Sequence, residues 1–191
     1  LNIAFVSRMT KNILTRLSVK IFSLGYAIPG VVLAVGVITP TAYIENILHN
    51  VLNNSPEYVL SGTFILLLIA YLVRFSTISI KTIDSGFNKI SNSYDLLASS
   101  FGYSKLQTLI KIHLPILLPT ITSATILLFV DIVKELPMTL ILRPFNFNTL
   151  PIHLYELAEA ENLSSIGMPG LILIIICLIP VIILSKGIMK N

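Results

Sequence analysis

Leu171-Ile172-Leu173-Ile174-Ile175-Ile176-Cys177-Leu178-Ile179-Pro180-Val181-Ile182-Ile183-Leu184 carries no charged side chain, and only Pro180 interrupts its apolar character. It sits inside a longer run, Leu163 to Ser185. A helix rises about 1.5 Å per residue, so about 20 residues cross a hydrocarbon core of roughly 30 Å. Three more runs of that kind lie upstream: Ile21 to Ile44, Tyr58 to Ile80 broken only by Arg74, and Ile112 to Val130. One such run could be a buried helix of a soluble protein, but four in 191 residues could not. The composition agrees, with 54% hydrophobic and 12% charged residues and a mean hydropathy of +0.88. The expected fold is all-α: one transmembrane domain over residues 1–191, with spans near 21–44, 58–80, 114–136 and 163–185.

Basic residues orient the bundle. Arg8, Lys11, Arg16 and Lys20 precede the first run, Lys81, Lys89, Lys105 and Lys111 separate the second from the third, and Lys186 and Lys190 follow the fourth. Ten of the thirteen Lys and Arg thus fall on one side, which the positive-inside rule makes cytoplasmic, together with both ends of this segment. Arg74 is expected near the inner end of its span. The net charge of +4 therefore reflects topology and gives no ground for a nucleic-acid partner. The single cysteine, Cys177, excludes an internal disulfide and reads as a small apolar residue. The first residue is Leu and no signal-peptide pattern leads the chain, so a C-terminal piece of a longer protein is expected.

Residues 81–113 are polar with apolar positions at helical spacing, among them Leu96, Leu97, Phe101 and Leu106. With Gly102 as a turn point, they predict two short helices at the membrane surface, the second stopped by Leu114-Pro115. The third apolar run continues through Asp131, Lys134 and Glu135 to Leu142, longer than one crossing needs, with a break expected at Pro137. Asp131, Lys134 and Glu135 would share one helix face. Lys134 could pair with either acid to mark an interface, or the group could face a pathway. Residues 144–162 predict a short interfacial helix carrying Tyr155, Glu156, Leu157, Glu159 and Glu161.

A glycine at Gly102, nine residues, and then Ile112-His113-Leu114-Pro115 resembles the cytoplasmic loop by which permease subunits of ATP-binding-cassette importers grip their ATPases. The family pattern opens with Glu-Ala-Ala. Here the aligned residues are Leu96, Leu97 and Ala98, with Asp95 one position early. The segment Lys134 to Phe145, followed by Phe147, Thr149 and Leu150, looks like that of the ferric-iron importer permeases. The resemblance implies a bundle of the type I importer permease kind in the bacterial inner membrane. It also implies ATPase-coupling residues Asp95, Ala98, Gly102, Ile112, Leu114 and Pro115, and pathway or gate residues Asp131, Lys134, Glu135, Pro137 and Arg143.

The implied partners are a dimer of cytoplasmic ATP-binding subunits that consumes the ATP, an external iron-binding protein, a second permease half or copy, and the bilayer. No phosphate-cradling GxxxxGK[ST] loop is present, so hydrolysis belongs to a partner and this chain is expected to bind no cofactor. Tyr155-Glu156-Leu157-Ala158 imitates the start of the docking pattern, but it lies one crossing further on and lacks the glycine and the Ile-x-Leu-Pro tail. His49, His113 and His153 are scattered without ligand spacing and read as interfacial or hydrogen-bonded, leaving no metal site. The sequon Asn53-Asn54-Ser55 carries no weight. Polyamine, thiamine, or another anion or metal complex stays open as the cargo. A membrane enzyme built on Asp131 and Glu135, and the remnant of a decayed transporter, are the remaining alternatives.

Overall fold

A computed structural model describes residues 24–51 and 62–189, with Phe5, Leu17 and Ile21 singly. Arg8, Lys11, Arg16, Lys20, Ser23, Lys190, the 53–55 sequon and residues 58–61 of the second expected span lie outside the described residues. The described structure is all helical. After a 3-10 turn at Gly25–Ala27 come α1 (Gly30–Val51), α2 (Phe64–Asn88), the short α3 (Ser93–Ser100) and the four-residue α4 (Lys105–Thr108). A π-helical turn (Leu109–His113) joins α4 to α5 (Leu114–Val133), and α6 (Pro137–Leu142), α7 (Leu150–Glu159) and α8 (Leu163–Met189) complete the chain. Four described helices are long and apolar enough to cross a membrane: Gly30–Val51, Phe64–Asn88, Lys105–Val133 and Leu163–Lys186.

The α1 helix starts at Gly30, nine residues after the apolar run begins. Ile28 is extended (φ −80°, ψ 129°), as a residue before proline prefers, and Pro29 follows it. The run before α1 is therefore a broken approach. A second departure concerns Pro115, which does not stop a helix. The Leu114 N–H bonds the Leu109 carbonyl five residues back. This π-turn absorbs the register change ahead of Pro115, at the start of α5, so that α4 and α5 form one continuous span. Pro137 does open a new helix, as expected of a proline in the first turn.

In lipid, apolar side chains gain little by leaving the solvent, so helix association depends on close approach at small residues. Ala34 and Ala70 are fully buried and Ala124 nearly so. A Cβ at Gly86 of α2 would lie 2.8 Å from Thr120 Cγ2 and 2.9 Å from Leu117 Cδ2 of α5, so these helices touch through a missing side chain. Gly25 is tighter, since its Cβ would fall 2.1 Å from the Val73 carbonyl oxygen. Two apolar clusters result. One joins α1, α2 and α6 through Leu33, Leu67, Phe75, Met138 and Leu142. The other, at the lysine-bearing end, joins Ile83, Phe87, Ile90, Leu109 and Leu117.

Candidate functional site

At the lysine-bearing end, α3 and α4 form a compact elbow. The α3 helix closes with a Schellman motif: Gly102 N–H bonds the Ser99 carbonyl and Tyr103 N–H bonds the Ala98 carbonyl, each at 3.0 Å. Gly102 has φ 74°, and nothing lies within 4 Å of where its Cβ would stand, so the backbone conformation rather than space selects glycine. One residue later, Ser104 and Gln107 form a capping box, each side chain bonding the other's backbone N–H. The Ser-x-x-Gln spacing of this box, Ser104-Lys105-Leu106-Gln107, is visible in the sequence.

Behind the elbow lies a buried junction. His113, the last residue of the π-turn, is fully buried, and its Nε2 meets Asp95 Oδ1 at 2.6 Å. A carboxylate only accepts, so the imidazole donates. Phe87 packs edge-on against the ring at 5.5 Å between centroids. Ala98 is buried too, whereas Leu96, Leu97, Phe101 and Leu106 are 57–77% exposed. Ile112 and Leu114 are half-buried, while Gly102 and Pro115 are exposed. Five of the six expected coupling residues thus form the elbow and its attachment, and Asp95 turns inward to bond within the chain. Nothing in the sequence paired it with His113.

The second feature lies deeper. Arg74 stands ten residues, about 15 Å, from the start of α2 and fourteen from its end. The helix runs on to Asn88, beyond the hydrophobic run, and so Arg74 falls mid-helix. Its Nε is 4.0 Å from Glu135 Oε2, its Nη1 donates to the Ile28 carbonyl at 3.5 Å, and its guanidinium lies 5.7 Å from the Tyr26 ring centroid. Glu135 is buried, and its Oε1 accepts the Met138 N–H at 3.1 Å at the start of α6. Thr139 donates to the Glu135 carbonyl and hydrogen-bonds Tyr71. A Cβ at Gly30 would lie 2.6 Å from Arg74 Nη1 and 3.2 Å from Glu135 Oε1, so a larger residue there would displace the guanidinium from its present place. The buried Glu135 and the half-buried Arg74 are tolerable there because each meets the other and a backbone group.

The expected face shared by residues 131, 134 and 135 does not form. The α5 helix ends at Val133, Lys134 pairs with Asp131 at 2.7 Å, and Glu135 is directed to Arg74 by the turn. That hydrogen bond to Asp131 is the main cause of a raised Lys134 pKa, so the lysine stays charged. Further along, Arg143 bonds Glu156 Oε1 at 3.0 Å and also Asn148, and Asn148 bonds Glu156 Oε2 at 2.9 Å. These three residues line an open polar cavity of about 650 Å³ beside Phe145. His49 and His153 are exposed on separate helices, and no group of three His, Cys, Asp or Glu that could hold a metal occurs among the described residues.

A helical membrane bundle with an exposed elbow and a buried charge pair narrows the family, and the sequence decides it. Residues 3–191 match the family described as the binding-protein-dependent transport system inner membrane component. This chain belongs to that family. It is a transport permease and not an enzyme. One relative is the Fe(3+)-transport system permease protein FbpB 2 of Haemophilus influenzae, 25% identical over 161 residues that cover 84% of this chain and 29% of the relative. Another is the 2-aminoethylphosphonate transport system permease protein PhnV of Salmonella typhimurium, 27% identical over 159 residues, covering 83% of this chain and 56% of the relative. The permease segment thus spans well under two thirds of either relative.

Proposed function

We propose that this permease segment is the ATPase-coupled part of an ATP-driven importer, and that the α3–α4 elbow is where the ATPase docks. The observation that carries the proposal is the exposed apolar set Leu96, Leu97, Phe101 and Leu106 on a rigidly capped elbow at the lysine-bearing end. Leu96 and Leu97 lie on α3, a short helix outside the spans, and Phe101 follows it, so this apolar face is offered to a partner protein. By the positive-inside rule that end is cytoplasmic, which puts both ends of the segment inside and α7 outside. The partners are then a pair of ATP-binding subunits within, a cargo-binding protein without, and a second permease half or copy beside it in the bilayer. ATP is consumed by the ATPase, and this chain binds no cofactor of its own.

The Arg74–Glu135 pair, with Pro137 opening α6 beside it, is the gate of the pathway. It joins the broken approach to α1 with the turn after α5, which are the two interrupted spans, and discontinuous helices are where transporters place such sites. Asp131, Lys134 and Arg143 form the outer rim. Ferric iron is the cargo on the strength of the Lys134–Phe145 segment and the FbpB relative. The PhnV relative, at similar identity, supports a phosphonate instead. Uptake of radiolabelled ferric iron and of 2-aminoethylphosphonate by cells carrying the full-length gene separates the two. Gly102→Asp is expected to abolish uptake at normal membrane abundance; undiminished uptake would remove the elbow from the mechanism.

A further inference from the structure

We infer that His113 is a positioning residue that makes α3 and α5 one rigid body, with Asp95–His113 as the strut between them. This rests on the docking reading above and adds how motion of the docked helix enters the bundle. The α3 helix turns its large apolar side chains outward, while Ala98 and Asp95 face the bundle. Its covalent route to α5 runs around the Gly102 turn. The Asp95–His113 bond is a chord across that route, closing a loop of 18 residues at 2.6 Å.

The far end of the chord is fixed. His113 is fully buried at the junction of the π-turn and α5, against the Phe87 ring of α2 and near Phe5, 5.9 Å away. A few residues on, α2 and α5 meet at Gly86 without room for a Cβ. A displacement of Asp95 therefore reaches the α2–α5 pair, which carries Arg74 midway along α2 and Glu135 in the turn after α5, without first bending the glycine turn. The second ring nitrogen, Nδ1, is buried with no hydrogen-bond partner among the described residues. Orientation of the ring thus depends on the Asp95 bond and the aromatic packing. In the family pattern an acid opens the docking helix, whereas here the acid stands one residue early and is engaged inside the chain.

Pulsed electron paramagnetic resonance tests this whichever cargo is correct. Spin labels at Ser100→Cys on α3 and Thr122→Cys on α5 are introduced into the full-length, otherwise cysteine-free permease, assembled with its ATPase. Distances are read without nucleotide and with a non-hydrolysable ATP analogue. The expected result is a narrow distribution that nucleotide leaves in place. Asp95→Ala and His113→Leu should each widen it by about two-fold or more, because the helix can then rock about the Gly102 turn. His113→Gln, which keeps a donor toward Asp95, should narrow it again. Unchanged distributions in Asp95→Ala and His113→Leu, or a wild-type distance that shifts with nucleotide, would overturn the strut. Failure of the ATPase to co-purify with wild-type permease would instead count against the docking reading, since the distances within the permease stand by themselves.

Discussion

Two surface helices, α3 and α7, carry nearly the same short sequence and end with opposite faces outward. Tyr94-Asp95-Leu96-Leu97-Ala98 and Tyr155-Glu156-Leu157-Ala158 differ little, and both helices close with a Schellman motif. Gly102 (φ 74°) occupies the left-handed position in one and Glu161 (φ 56°) in the other, where Asn162 N–H bonds the Leu157 carbonyl at 3.0 Å. Each acid meets a basic side chain from another segment. Yet α7 buries Pro151 and Ile152 and leaves Leu157 half-buried, whereas α3 exposes Leu96, Leu97 and Phe101. Asp95 reaches a fully buried imidazole, while the Arg143–Glu156 pair stays at a wet rim with side chains 28% and 41% exposed. A local motif therefore does not distinguish a docking element from a rim element. The distinction lies in which face the bundle occupies.

The largest effect should come from that reversal. Ile152→Ala should lower stability in detergent by about 2–5 kcal/mol, a buried truncation. Leu97→Ala, its outward counterpart, should stay within about 0.5 kcal/mol. Equal losses in thermal unfolding would erase the contrast. Next come the acids. Asp95→Ala leaves a buried donor on His113 without its acceptor and should cost about 1–3 kcal/mol, against about 0–1 kcal/mol for Glu156→Ala at the exposed pair. The smallest effects belong to the turns and carry opposite signs. Gly102→Ala should destabilise by about 1–2 kcal/mol, and Glu161→Gly should stabilise by a similar or smaller amount, because only glycine is free of the left-handed penalty. A stability loss in Glu161→Gly would mean that the glutamate has a contact that offsets its strain.

Much of the architecture was legible because lipid imposes a length and composition rule that runs of Leu and Ile satisfy visibly. The Pro137 break and the Gly102 turn were equally plain, since both residues act through their own backbone. Helix limits were less so. Hydropathy marks where apolar residues stop, whereas α2 continues eight residues past its hydrophobic run, from Lys81 to Asn88. Neither Arg74–Glu135 nor Asp95–His113 follows any sequence spacing, because the first pair is made where α1 starts at Gly30 and the second where the chain folds back around the Gly102 turn. The face taken by Glu135 was misread for a related reason. A helical wheel holds only while the helix lasts, and α5 ends two residues earlier.

Cross-linking addresses the docking claim most directly. Single cysteines are placed at Phe101→Cys on the α3 turn and Glu159→Cys on α7, in the full-length protein with Cys177→Ser, and treated with a short bifunctional maleimide in membranes holding the assembled importer. A covalent product between the ATPase subunit and Phe101→Cys, absent for Glu159→Cys, is the predicted result. An ATPase adduct at Glu159→Cys, or at neither position while the ATPase still co-purifies, would contradict it.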